Sequence, residues 1–426
     1  MSASFRLMAR ALVRGHVVTL LLAATALVHA LLPSLVRGDG TAAGWREMFV
    51  RSVPGTVVAI VLVALLAVAC GVFARERESH RLPLTVVRPA SAFAVAAGRW
   101  LGLCALAAIV LAFNAALTFL RSSQAPDCRH HLQPVLPPPG VTAQKMMESY
   151  LSDPATPESV RKAPRHKVLA LLTNKELDRY DVIPAGGKMS WPISADGLEP
   201  DRDENRRIAV RVCFASTYST REPVRGRFFL GGAVGVVSND TQSIWEVPLS
   251  GTISPQPLNP STSDARELTF VNEGKDSVML RPRRDLMLLV PADAFGFNLF
   301  RATVQSFATM ALLAAFGLFL SAALSRPVAV FTALVLVAVA LMAPSAVAQF
   351  PDSLDVSLAN RIGLALSRGV SAITSSFAEP SPVSDLAMGR CIEWAELIRA
   401  VIVNAVILPG GLLVLAALTV RRHPMP

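Results

Sequence analysis

Six apolar stretches set the pattern of the chain, at 17–36, 53–74, 100–120, 302–324, 328–349 and 397–420. Each is rich in Ala, Leu and Val, and the first five carry no acidic or basic side chain except His29. About 20 helical residues cross a hydrocarbon core ~30 Å thick, and a helix satisfies its own backbone groups there. The pattern therefore predicts six transmembrane helices. Ahead of the first, FRLMARALVR (5–14) sets Phe5, Met8 and Leu12 on one side and arginines on the other. Such a segment is expected to lie as an amphipathic helix on a membrane surface. Over 353–378, Ile362, Leu366, Val370, Ile373 and Phe377 recur at helical spacing, with Arg361, Ser367, Arg368 and Ser371 off that face. That stretch is too polar to span and predicts an outer amphipathic helix, ended by Pro380 and Pro382.

A long polar insert separates the third and fourth apolar stretches. It opens on a proline-rich connector, CRHHLQPVLPPPG, whose composition favours an extended chain. Residues 142–180 read as helical, broken at prolines. Beyond Lys188 the period changes to two: Ile208, Val210, Val212 and Phe214 alternate with Ala209, Arg211 and Cys213. Short runs of this kind recur at 226–237, 243–253, 266–272, 277–281 and 286–290 between Gly, Pro, Asn and Ser. Such spacing predicts an antiparallel β-sandwich within 188–291. The expected fold is an all-α polytopic membrane protein with six helices and an α+β insert. Its three parts are 1–120, 121–299 and 300–426.

Composition agrees: of 426 residues, 52% are hydrophobic and 17% charged, with mean hydropathy +0.45. A disordered chain and a water-soluble enzyme are both disfavoured. The net charge of +10 suggests nucleic acid only until it is mapped. The span from Arg121 to Phe300 holds 22 Lys and Arg against 21 Asp and Glu, and the remainder 19 against 10. The basic excess thus flanks apolar runs, where it orients the chain and meets anionic lipid headgroups; no nucleic-acid partner is expected. With the N-terminus inside, 11 arginines fall in cytoplasmic segments against six in the short outer loops, namely Arg37, Arg46, Arg51, Arg361, Arg368 and Arg390. Both termini are then cytoplasmic and the insert extracytoplasmic, as in a bacterial inner-membrane protein. A rival reading makes residues 1–30 a cleaved signal peptide, leaving five spans.

Catalytic motifs are missing. The string Gly186-Gly187-Lys188-Met189-Ser190 lacks the glycine spacing of a phosphate-binding loop, and no H-E-x-x-H, G-x-S-x-G or CxxC occurs. Cys128, His130 and His131 form a metal-like cluster, but adjacent histidines chelate poorly, so a surface loop and no metal are expected. Cys128, Cys213 and Cys391 all fall in the outer compartment, where oxidation is possible. A Cys128–Cys213 disulfide would tie the connector to a strand, although three thiols allow three pairings. Within the spans, Asn114, Arg399 and Asn404 are the pathway candidates, with Pro409 expected to kink or break the last helix. Arg399 can also snorkel outward.

The segment between the second and third spans reads FARERESHRLPLTVVRPASAFAVAAGRWLG. Paired glutamates, Glu76 and Glu78, leave the span, an apolar patch follows, then Pro89, and Gly98-Arg99 opens the next span. Positive charge alone would serve an inner loop, so these acids suggest a docking surface for a partner's groove. Here the chain resembles the membrane subunits of ABC exporters, the ABC-2 type permeases. Glu76 and Pro89 stand 13 apart and Pro89 and Gly98 nine apart, as in that family. Leu82 falls at the family's leucine, Ser91 follows Pro89, and Arg99 replaces the usual lysine. His80-Arg81 stands where the family has Gly-Thr, and the large insert is a departure, that loop usually being short.

The resemblance implies a non-catalytic permease paired with a separate ATPase subunit that carries the ATP and Mg. The coupling residues would be Glu76, Glu78, Leu82, Pro89, Gly98 and Arg99, within a loop at 75–99. A second permease chain, identical or related, would complete the pathway, and an amphiphilic or cell-envelope substrate suits the uncharged spans. Two alternatives remain open. One is an ABC-coupled mechanotransmitter that moves the outer domain without transport. The other is an ATP-independent scaffold whose outer domain binds an envelope partner.

Overall fold

The computed structural model describes residues 2–35, 42–78, 91–122, 128–154, 156, 158–161, 164–194, 208–216, 223–239, 244–251, 265–349 and 382–422. The outer helix expected at 353–378 and residues 79–90 of the loop at 75–99, including Leu82 and Pro89, lie outside them. Four helices come first: α1 (Ser2–Arg14), α2 (Val17–Leu35), α3 (Ala42–Glu78) and α4 (Ala92–Arg121). The insert then contributes β1 (Arg129–Leu132), α5 (Pro139–Ser152), α6 (Glu158–Arg161), α7 (Arg165–Leu177) and ten further strands, β2 (Asp181–Ile183) to β11 (Leu286–Pro291). The C-terminal part holds α8 (Phe295–Ala323), α9 (Arg326–Gln349), α10 (Pro382–Ala387) and α11 (Trp394–Val401). A π-turn (Ile402–Ile407) then joins α11 to α12 (Leu408–Arg422).

Five of these runs are long and apolar enough to cross a membrane: Val17–Leu35, Met48–Arg77, Ala92–Arg121, Phe295–Ala323 and Trp394–Arg421. The fifth apolar stretch of the sequence forms α9, of which Arg326–Val339 counts only as a shorter apolar helix among the described residues. The five pack as a bundle whose outward faces stay apolar: Leu20, Leu27, Leu31, Ile109, Leu120 and Ile407 are all exposed. So much exposed hydrocarbon suits lipid rather than water, and the helical unit is built as a multi-pass membrane protein.

Helix α8 is the most buried of the bundle. A Cβ on its Gly317 would stand 2.6 Å from the Cβ of Ala69, so glycine lets α8 and α3 approach backbone to backbone. Trp100 of α4 donates its indole N–H to the Ala311 carbonyl of α8 at 2.8 Å. The amphipathic α1 lies on α4, with Met8 and Leu12 buried in the same core as Leu103, Leu106 and Leu318. Gly102 makes that seat: a Cβ there would meet Met8 Cγ at 2.7 Å.

The chain divides into two compact units. The helical one takes Met1–Cys128, Asp293–Val347 and Leu364–Pro426. The second takes Arg129–Ala292 with Ala348–Gly363, the latter largely outside the described residues. Between β2 and β11 come β3 (Lys188–Ser194), β4 (Ala209–Cys213), β5 (Ala215–Ser216), β6 (Val224–Leu230), β7 (Ala233–Asn239), β8 (Ile244–Pro248), β9 (Ala265–Asn272) and β10 (Val278–Leu280). Among the described residues their pairings are all antiparallel, in the orders β1-β11-β4-β8, β2-β10-β5 and β3-β9-β6-β7. Alternation does what period two predicts: Val210 and Val212 of β4, Phe228 and Leu230 of β6, and Leu268 and Phe270 of β9 enter one apolar core. Within it Phe270 packs 5.0 Å from Phe214 and 4.8 Å from Phe228, centroid to centroid. Asn272, fully buried beside this core, is satisfied: its Nδ2 faces the carbonyls of Ile183, Pro184 and Asp276, and its Oδ1 accepts from Gly274 N.

Candidate functional site

Two places in the helical unit gather charged side chains against apolar walls. The first joins the end of α3 to the start of α4, the two arms of the segment between the second and third spans. Arg99 is 6% exposed, although the polar arm of the sequence lies one turn away. Its Nη2 donates to Glu76 Oε2 at 2.6 Å, and its guanidinium lies 4.4 Å over the Phe73 ring. A bidentate-capable planar cation stacked on an aromatic face is a use lysine cannot match. Glu76 is thus engaged within the chain, bracing α3 to α4, instead of standing free for a partner. One turn earlier, Phe73 N and Ala74 N donate to Ser321 Oγ at 2.8 and 3.1 Å, and Arg77 donates to the carbonyls of Ala322 and Leu324. Arg77 therefore caps the C-terminus of α8, where the orphan carbonyls attract a cation. Gly98 is buried within α4, and Glu78 is the last residue of α3.

The second place lies where the chain leaves and re-enters the helical unit. Cys128 N donates to Asp293 O at 2.8 Å. The Cys128 thiol meets Cys391 Sγ at 3.1 Å, and both are buried. Arg301, one residue ahead of the fourth apolar stretch, spreads over this pair. Its Nη1 donates to Cys391 Sγ at 3.2 Å and to Ile392 O at 3.0 Å, and its Nη2 donates to Asp293 Oδ2 at 2.6 Å. The guanidinium stacks 4.5 Å over Trp394. Asn298 fixes the same turn, donating to Arg390 O at 2.8 Å and accepting from Ile392 N at 2.9 Å. The hydrogen bond from Cys128 and the nearby Arg301 cation lower the Cys391 thiol to about 7, while Cys128, donor in that bond and buried, is raised.

Of the three pairings that the sequence leaves open, the fold brings Cys128 against Cys391. Cys213 ends β4, its amide bonded to Asp285 O at 3.0 Å, and its thiol is raised by burial and by the Asp285 carboxylate. Sequence reasoning passed over Asp293, Asn298 and Arg301. One signal was present: an arginine at the mouth of an otherwise uncharged span needs a partner. His130 and His131, expected in a loop, lie on β1 and pair with Val290 and Leu289 of β11. Among the described residues no three His, Cys, Asp or Glu side chains gather as a metal set.

The pathway candidates have separate surroundings. Asn114 Oδ1 is 2.9 Å from His29 Nε2, an interhelical pair buried between α2 and α4. Arg399 is exposed on α11. Asn404 is buried inside the π-turn. Pro409 does not break the last helix. Proline lacks an amide and its ring crowds the carbonyl one turn back; the helix widens just ahead of it, Leu408 N bonding Val403 O, and then continues to Arg422. Between α4 and α8 an apolar groove of about 520 Å³ is lined by Leu111, Phe119, Leu299, Phe300, Val304 and Phe307, among others.

No family model matches the chain, and neither a curated protein nor a solved structure matches it.

Proposed function

We propose that the chain is the membrane-spanning permease subunit of an ABC exporter, driven by ATP that a separate subunit hydrolyses. The observation that carries this reading is the Glu76–Arg99 brace. It clamps the arms of residues 79–90 into a fixed hairpin base, with α1 seated on Gly102 beside it. A loop that must transmit a partner's push needs a rigid base, and an ion pair stacked on Phe73 supplies one. The docking contact then falls to Glu78, Leu82 and the apolar residues before Pro89. In this reading α9 is the sixth crossing, both termini are cytoplasmic, and the two four-stranded sheets of the outer domain face each other as a sandwich. The α4–α8 groove, apolar and large enough for hydrocarbon chains, favours an amphiphilic or cell-envelope substrate. A second permease chain, identical or related, completes the pathway.

A second reading shares the ATPase coupling but moves the outer domain without transport. It is favoured by the Cys128–Asp293 tie, which couples the exit of α4 to the start of α8.

Co-purification in mild detergent tests the coupling. Wild-type chain is expected to retain an ATPase, identified by mass spectrometry, and Glu78→Lys/Leu82→Glu to lose it while keeping its yield and melting profile. An inserted, folded wild type that retains no ATPase overturns the permease reading. To separate the two readings, Thr303→Trp and Leu111→Trp fill the groove. Loss of activity then supports transport through it, and full activity favours the mechanotransmitter.

A further inference from the structure

The second charged place has no role in the coupling just described, and its geometry leads elsewhere. Two buried thiols in hydrogen-bond contact come from segments 263 residues apart in sequence. One precedes β1, the other sits in the turn between α10 and α11. Around them the backbone is fixed by independent bonds: Cys128 N to Asp293 O, Ile392 N to Asn298 Oδ1, and Arg301 to Ile392 O. The cysteines are therefore held in register by their neighbours and not by chance side-chain rotamers. Arg301 points a permanent cation at one sulfur only, that of Cys391, and Asp293 and Trp394 hold the cation in place.

We propose that Cys128 and Cys391 form a disulfide that covalently joins the exit of the third apolar helix to the approach of the last. The reaction is thiol–disulfide exchange with an external disulfide, supplied by a protein or small-molecule disulfide oxidant of the outer compartment. The Cys391 thiolate, favoured by Arg301, attacks one sulfur of that disulfide, forming a mixed disulfide and releasing the first thiolate. Cys128 then gives up its proton and attacks Cys391 Sγ, expelling the second thiolate. Two protein thiols are oxidised and one external disulfide is reduced to two thiols. Exchange takes place during folding, before the pair is covered, and burial afterwards shields the bond from reductants. The bond locks the Arg301–Asp293 turn, so the two halves of the helical unit cannot part at this place while the rest of the bundle stays free to rock.

The inference rests on the outer placement of the site. It is tested on the full chain in its native membrane, thiols blocked before lysis, by peptide mapping without reductant. Recovery of nearly all Cys128 and Cys391 as one linked peptide, with Cys70, Cys104 and Cys213 alkylated, is the expected result. Cys213→Ser should leave that link intact, and Cys128→Ser should free Cys391. Cys128 and Cys391 recovered as alkylated thiols, or Cys128 linked to Cys213, overturn the proposal. If the pair in unblocked membranes then closes on adding an oxidised dithiol, the orientation is at fault; if it does not, the geometry is. Neither result bears on the ATPase co-purification, so the failure of one reading stays distinct from that of the other.

Discussion

At the scale of single residues, the helical unit holds its few buried charges by stacking each on an aromatic ring and pairing it with one carboxylate. Arg99 has Phe73 and Glu76, and Arg301 has Trp394 and Asp293. Asp385 is the exception. It is 1% exposed in α10, and its partner Arg390 stays at 3.6 Å. Burial pushes its carboxyl up to about 6; Arg390 draws it down and Glu396 adds to the rise. An unfolded aspartate titrates near ~3.9. Between those values the folded chain binds more protons than the unfolded one, so stability falls as pH rises towards about 6 and is regained on acidification. A tenfold change in proton affinity is worth about 1.4 kcal/mol, so the effect is on the order of 1 to 3 kcal/mol. Asp385→Asn should melt higher than wild type at pH 7, with the gap closing by pH 4.5. Parallel Tm profiles for the two chains would remove Asp385 as the source.

Among elements, what the sequence revealed depended on whether the determinant was local. Run length alone marks the apolar helices, because a single run satisfies its own backbone in lipid only as a helix. Period two marked the strands around Val210 and Val212 for the same local reason. Pairing did not show: β1 joins β11 and β3 (Lys188–Ser194) joins β9 across long separations, so the division into two four-stranded sheets and one three-stranded sheet could not be read from alternation. Glu76 and Arg99 stood out by composition, yet their mutual contact needs the hairpin that brings 23 residues of separation to 2.6 Å. The Cys128–Cys391 contact was invisible for the same reason. The seat of α1 is a further case: Gly102 is one small residue in an Ala-rich run, and only the close approach of Met8 gives it meaning. Gly102→Leu should lift α1 from α4, since a side chain there would collide with Met8. An overpacked contact costs ~1–3 kcal/mol. Limited proteolysis after Arg10 and Arg14 should then speed up severalfold while cleavage in the outer domain is unchanged; an unchanged N-terminal rate would mean α1 is held by other contacts.

On the scale of the whole molecule, the question is whether the strand-rich unit is a part of the membrane fold or a domain inserted into it. Its core draws on its own strands: Trp191, Ile193, Phe214, Phe228, Phe270 and Leu288 are fully or almost fully buried together. Its two ends are neighbours, because Arg129 of β1 pairs with Pro291 of β11 and the ladder continues to Leu132 against Leu288. A unit that begins and ends on adjacent strands can be inserted into a loop between two helices, or removed from it, without spreading the host. Excised residues 129–292 should therefore fold alone in water, with a β-rich circular dichroism spectrum and one cooperative melt. Trp191 reports the core: it is 2% exposed and donates its indole N–H to Asp181 Oδ2 at 2.9 Å. Its emission should be blue-shifted in the fragment and move red on unfolding, with Trp245→Phe removing the half-exposed second indole. A fragment that shows no cooperative transition and red-shifted Trp191 emission would mean that the membrane unit completes this core. Independent folding would instead fit a domain that evolved for contacts of its own, carried by the helical unit on two strands.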